Sequence, residues 1–143
     1  MKLAIFGLMI AVFAHGVSCS SSANNIKHAG VTEQALALGT WGGQHVRAEV
    51  NERGADLEFD CAQGNIAGKI MLDSAGGFEV NGSFSTQHAG PIRDDETSSR
   101  TVRYKGVVKD NEMELTITDA KNKDEIGSFS LRFGNEGRLM KCR

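Results

Sequence analysis

From Val46 to the C-terminus, apolar residues recur at every second position in short stretches separated by Gly, Asn and Asp. Alternation of this kind is typical of strands that bury one face and expose the other. The stretches run over 46–50, 55–61, 66–72, 78–84, 102–108, 113–117, 129–133 and 138–142. We predict an all-β fold: an eight-stranded antiparallel up-and-down barrel, whose first strand extends back to Leu38.

The turns between these stretches test the prediction, because a slip of one residue would move every side chain to the other face. Five hairpins place inward-facing residues opposite one another. Their turns lie at Asn51–Gly54, Ala62–Asn65, Asp73–Gly77, Asp110-Asn111 and Gly134–Gly137. The pairing also places Phe59 opposite Gly68 and Gly82, a matching of large with small residues that fills a narrow barrel.

The chain before the first strand predicts a short helix over Val31–Leu38. Thr32 is a suitable N-cap, and Gly39 a suitable C-terminal stop. Trp41 follows at an odd-numbered position, which in a regular strand would place its side chain on the outward face. A bulge at Gly42-Gly43 would turn the indole inward; without a bulge it would be exposed near the rim.

The N-terminus reads as a secretory signal peptide over residues 1–18. A positive start at Lys2 precedes the apolar run Leu3–Phe13, which is too short for a stable membrane anchor. Gly16-Val17-Ser18-Cys19 resembles a bacterial lipobox, which usually has Leu where Gly16 stands. Under that interpretation Cys19 is lipidated, 19–30 is a flexible tether and 31–143 is the barrel domain. Ordinary cleavage would instead leave a free periplasmic or secreted protein.

The two remaining cysteines, Cys61 and Cys142, form an even pair in an exported chain, which favours a disulfide. Both end predicted strands at the same rim. The signal peptide holds one of the 16 basic residues, Lys2, which leaves 15 against 18 acidic residues. This mild negative balance argues against nucleic acid and against an anionic membrane surface as partners. Membrane contact is expected through the N-terminal lipid only.

One long connection, Gln87–Arg100, interrupts the series of tight turns. Exposed loops of this length often carry function, although a solvated connection is the simpler interpretation. Its candidate interaction residues are His88, Pro91, Arg93, Asp94 and Asp95.

The Gly39-Thr40-Trp41 opening, followed by eight antiparallel strands, resembles the calycin group: lipocalins, avidins and small bacterial metalloprotease inhibitors. The resemblance implies a Trp low in the barrel with a basic residue of the last strand packed over it, here Arg138. The single Trp disfavours biotin binding, since avidins use several. In pattern the chain is also similar to uncharacterised exported bacterial proteins.

No His, Cys or acidic residues stand at the spacing of a metal site or in the order of a catalytic triad. The prediction is therefore a non-enzymatic module of the bacterial cell envelope, without cofactor or metal. It would bind an envelope protein or a small apolar ligand, for which inward Gly68, Gly82 and Gly106 leave room. The alternative is an interaction barrel like the protease inhibitors, whose N-terminal segment enters the protease cleft.

Overall fold

A computed structural model describes residues 34–87 and 99–140 of the chain. The described residues form ten strands. In chain order these are β1 (Gln34–Ala35), β2 (Gly39–Gly43), β3 (Val46–Asn51), β4 (Gly54–Phe59), β5 (Ala62–Ala67), β6 (Met71–Leu72), β7 (Gly77–Thr86), β8 (Ser99–Lys109), β9 (Glu112–Asp119) and β10 (Glu125–Phe133).

Eight of these strands close into an antiparallel barrel in the order β10-β2-β3-β4-β5-β7-β8-β9. The predicted all-β, eight-stranded antiparallel barrel is therefore confirmed. Two of the predicted hairpins have the predicted register. Val46 pairs with Phe59 and Val50 with Ala55 between β3 and β4, and the β8–β9 hairpin turns at Asp110-Asn111 as expected.

The predicted first strand, Leu38–Val50, is wrong because the chain reverses within it. Gln44 and His45 form a tight turn between β2 and β3, and His45 adopts a left-handed conformation with φ of 67°. The turn brings Trp41 opposite Ala48, on the inward face. Trp41 is 1% exposed, so the interpretation that the indole points inward is correct. The cause is the hairpin at Gln44-His45, not a bulge at Gly42-Gly43.

Barrel closure also differs from the prediction. The stretch 138–142 was expected to form the eighth strand, paired with β10. Instead β2 takes that place, with Leu131 opposite Gly43 and Phe133 opposite Trp41. An extra hairpin at the start of the barrel supplies the strand that the C-terminus was expected to supply.

Two further pairings are shifted by an even number of residues, which preserves the inward face. The chain turns at Asp60-Cys61 rather than at Ala62–Asn65, so Phe59 pairs with Ala62. Between β5 and β7, Gly64 pairs with Phe84. The strand predicted over 66–72 is divided at Gly68, whose φ is 91°. Its second part, β6, leaves the barrel and pairs with β1.

The predicted helix over Val31–Leu38 is not found in its described part. Residues 34–35 form β1, and 36–38 have no regular structure. This segment covers one end of the barrel, where Leu36 donates its backbone N–H to Ile70 and both side chains are buried. The indole N–H of Trp41 donates to the carbonyl of Ala37 at 3.0 Å, which fixes the segment to the barrel. Among residues 34–87 and 99–140 there is no helix that could cross a membrane.

Aromatic rings fill the barrel interior against glycines, although not in the predicted combination. A Cβ at Gly64 would lie 2.2 Å from the Tyr104 hydroxyl oxygen, and one at Gly82 would lie 2.8 Å from the Tyr104 ring. Gly106 is covered in the same way by the ring of Phe78. Tyr104 is fully buried and donates its hydroxyl to the carbonyl of Ser83 at 2.7 Å. The room predicted at Gly82 and Gly106 is therefore occupied by the protein's own side chains, and Gly68 is exposed.

Replacing Gly106 by alanine tests this packing. The new methyl would lie about 2.2 Å from the Phe78 ring, and overpacking of this kind costs about 1–3 kcal/mol. Urea unfolding should show that loss for Gly106→Ala. Val107→Ala, a change at the next, half-exposed position of β8, should shift the free energy of unfolding by less than about 0.5 kcal/mol. Equal effects of the two variants would contradict the packing.

Candidate functional site

The two ends of the barrel differ in how they are covered. The end described above is covered by Leu36 and by Ile70. The other end, which we call the mouth, is formed by the turns Gln44-His45, Asp60-Cys61 and Ala120–Asp124, together with the end of β7 and the start of β8. The candidate functional residues cluster here.

Three phenylalanines from different strands meet inside the mouth. The ring of Phe59 in β4 lies 5.5 Å from that of Phe84 in β7 and 5.1 Å from that of Phe129 in β10. Phe84 is buried, whereas Phe59 and Phe129 are only partly buried although they pack against the core. We call these three residues the mouth cluster. It gives this end of the barrel an apolar surface that the solvent reaches.

A charged pair stands beside the mouth cluster. The guanidinium of Arg100 lies 5.5 Å from the centroid of the Phe84 ring, a cation–π arrangement, and 3.6 Å from the Asp119 carboxylate. Backbone N–H groups of Lys121 and Asn122 hold the pKa of Asp119 below its ordinary value; partial desolvation opposes them, and Arg100 adds to the lowering. The mouth thus presents an aromatic surface with the Arg100–Asp119 ion pair beside it.

After β10 the chain crosses the outside of the first hairpin. We call residues 134–140 the strap. The backbone N–H of Arg138 donates to the carbonyl of Gly43, and the N–H of His45 donates to the carbonyl of Arg138. The Glu136 carboxylate lies 3.2 Å from the guanidinium of Arg47. Gly42 lies under the strap, since a Cβ there would be 2.2 Å from the nitrogen of Gly137.

The strap ends on the Asp60 carboxylate at the mouth. Asp60 accepts a hydrogen bond from the N–H of Met140 at 2.7 Å and lies 2.5 Å from Nδ1 of His45. The Met140 N–H lowers the pKa of Asp60, desolvation opposes this effect, and His45 adds to the lowering. Asp60 joins two turns of the barrel to the strap.

A polar cleft of about 580 Å³ lies on the outer face beside the strap. Its floor is the surface of β9 and β10, where Arg132 pairs with Glu112 and the hydroxyl of Ser130 donates to Glu114 at 2.9 Å. One wall is the strap, and one end is the glycine pair Gly42-Gly43. The cleft is outside the barrel, so it is not the predicted internal cavity.

The structure places the predicted site residues in different regions. Gly39 begins β2 next to the Phe133 ring, and that ring packs edge-to-face on Trp41 at 5.2 Å. Among the described residues, Phe133 is thus the aromatic partner of Trp41, while Arg138 is exposed and joined to Gly43 and His45 through its backbone. Cys61 lies in the exposed β4–β5 turn.

The other predicted site residues lie outside the described residues. These are Cys19, Cys142, and the loop residues His88, Pro91, Arg93, Asp94 and Asp95. The lipid, the disulfide partner and the candidate interaction loop therefore stay predictions.

Residues 34–87 and 99–140 contain no group of three or more His, Cys, Asp or Glu side chains placed to hold a metal ion. The sequence reasoning missed Arg100, Asp119 and Phe129, although the inward alternation of Phe129 was a usable signal. It had no signal for the contact between Met140 and Asp60, which are 80 residues apart.

Comparisons with protein-family models, curated proteins and solved structures find no match to this chain.

The contact between Asp60 and the strap predicts a specific acid dependence of stability. Because the folded protein lowers the pKa of Asp60, this carboxylate stabilises the fold above its unfolded pKa of about 4. That contribution is lost as the pH falls through the lower folded value. Asp60→Asn should therefore lose less free energy of unfolding between neutral and acidic pH than the unmodified protein does.

Urea unfolding at about pH 7 and about pH 3, on either side of the ordinary carboxylate range, measures that difference. Asp110→Asn is the matched control, since it changes an exposed turn carboxylate at the opposite end of the barrel and should keep the original acid dependence. An unchanged acid dependence in Asp60→Asn would contradict the role given to this contact.

Proposed function

We propose that this protein is a non-enzymatic binding module of the bacterial cell envelope, and that it binds its partner at the mouth. The observation that carries the proposal is the partly exposed mouth cluster beside the Arg100–Asp119 pair. Aromatic side chains with adjacent charges are enriched at binding surfaces, since they combine a large apolar contact area with orientation.

The packing of the interior favours a partner at the mouth over a ligand within the barrel. Tyr104 and Phe78 occupy the space beside the inward glycines. Among the described residues no charged side chain is buried, and the buried Tyr104 hydroxyl already donates to Ser83, whereas small-molecule sites usually combine an apolar cavity with a few inward polar groups. A small apolar ligand would therefore be held against Phe59 and Phe129 at the rim.

The proposal includes a calycin-like barrel. Its support is the closed eight-stranded topology, with Trp41 buried on the first barrel strand. In calycins, as the resemblance implies, a basic residue packs over the Trp. Here Phe133 would cover Trp41 instead.

The proposal also assigns the three cysteines. Cys19 would carry the lipid that holds the module on the membrane, and Cys61 would be bonded to Cys142. One observation supports the second assignment: the strap brings Met140, two residues before Cys142, onto Asp60, the neighbour of Cys61. Stable anchoring requires more than one acyl chain on the processed cysteine.

Mass spectrometry of the mature protein without reduction tests the cysteine assignment. We expect an N-terminal peptide that begins at acylated Cys19 and one peptide pair that joins Cys61 to Cys142. The Cys19→Ser variant should lose the acyl mass and the membrane association while keeping the peptide pair. Membrane association that is unchanged in this variant would reject the lipid anchor.

Site-specific photo-crosslinking in cells tests the binding site. Lys121 and Arg53 are matched positions: both are exposed basic residues in tight turns, and each donates its backbone N–H to a side-chain oxygen two residues earlier. Lys121 lies at the mouth and Arg53 at the opposite end. A photoreactive residue at position 121 should give a discrete adduct that position 53 does not. Adducts at position 53 alone, or at neither position, would contradict binding at the mouth.

A further inference from the structure

The ladder that closes the barrel is short. Strand β2 pairs with β10 only from Phe133 back to Leu131, because β2 ends at Gly43 and the chain turns away into β3. Strand β10 continues to Glu125 with β9 as its one strand neighbour. Among the described residues, the part of β10 over residues 126–130 therefore has an edge without a paired strand. We call this edge, between β10 and the Gln44-His45 turn, the seam.

The hydrogen-bond pattern shows which backbone groups face the seam. Phe133 donates its N–H to Asn111 at the start of β9, whereas Gly134 donates its N–H to Thr40 of β2. Since successive residues of a strand point to opposite neighbours, odd-numbered residues of β10 face β9 and even-numbered residues face β2. Beyond the end of β2, the N–H and C=O of Ser128 accordingly point into the seam.

The two faces of the seam differ in chemistry. On the inner side, the rings of Phe59 and Phe129 meet at 5.1 Å and are partly exposed. On the outer side, Glu125 accepts a hydrogen bond from the hydroxyl of Ser128, and Glu114 accepts one from Ser130. Neither glutamate takes part in an ion pair within the described residues. The outer side thus carries two carboxylates that have no basic partner among residues 34–87 and 99–140, next to the polar cleft.

We infer that the seam binds an extended segment of a partner protein in which basic and apolar side chains alternate. Such a segment would add to β10 as a strand, since unpaired strand edges bind extended peptides through main-chain hydrogen bonds. Its apolar side chains would lie against Phe59 and Phe129. Its basic side chains, on the opposite face, would lie near Glu114 and Glu125. The inference rests on the binding role in the proposed function, not on the position of the mouth, and it names the class of partner.

The test uses a fluorescent synthetic peptide of alternating lysine and valine and the purified full-length protein, with binding measured by anisotropy. A second peptide carries N-methyl groups on alternate residues, which removes the donors on one edge and keeps every charge. A third has glutamate in place of lysine. We expect the first peptide to bind, and the other two to bind at least about tenfold more weakly.

Two variants of one residue separate main-chain pairing from other effects. Ser128→Pro removes the N–H that faces the seam, at a strand edge, where proline is tolerated. Ser128→Ala removes the same hydroxyl and keeps that N–H. The first variant should weaken binding of the lysine–valine peptide by at least about tenfold, and the second should change it by less than about twofold. The N-methyl comparison gives the same information on the unmodified protein if Ser128→Pro does not fold.

Absence of binding, or binding that is insensitive to N-methylation, would overturn the inference. The two proposals fail separately. Peptide binding that fails while Lys121 still gives a discrete adduct in cells would reject the seam and leave the mouth as the binding site. Main-chain-dependent peptide binding without any adduct at the mouth would support the seam and reject the mouth.

Discussion

The closure of the barrel between β2 and β10 is the interaction on which the rest of the structure depends. It consists of three residue pairs, from Trp41–Phe133 to Gly43–Leu131. So short a ladder needs support from elsewhere. On the inside the Phe133 ring packs on Trp41. On the outside the strap lies across Gly42, and its hydrogen bonds with Gly43 and His45 hold the first hairpin in place.

The same closure gives the barrel two unlike ends. Near the end covered by the N-terminal segment, β2 and β10 are paired, and the Trp41 indole N–H donates a hydrogen bond to the carbonyl of Ala37. Toward the mouth, β2 stops before β10 does. Phe59 and Phe129 meet at this end with their rings 5.1 Å apart, and both are partly exposed.

The filled interior limits which binding functions the barrel can have. Small barrels of eight strands are mostly filled by their own side chains, and here Tyr104 extends across to Gly64 and Gly82. Burial raises the pKa of the Tyr104 phenol, which remains a neutral donor to Ser83 at physiological pH. The proposed binding sites are consequently the rim and the seam, where apolar surface and charged groups of the described residues lie together.

The alternation of apolar residues from Val46 onward was sufficient to determine the all-β class and the inward faces of β3, β4, β8 and β9. These properties depend on local periodicity and on short turns, and both are determined by residues that are close together in the chain. Even the shifted hairpin at Asp60-Cys61 kept its inward face, because an even shift preserves the alternation.

Only the tertiary structure decided which segment closes the barrel. The left-handed turn at His45 is stabilised by Arg138 and Asp60, residues distant in the chain, so no pattern around His45 could reveal it. The seam begins where β2 ends at Gly43, and the hydrogen bonds of Gly43 and His45 with Arg138, about 95 residues later in the chain, hold the hairpin there.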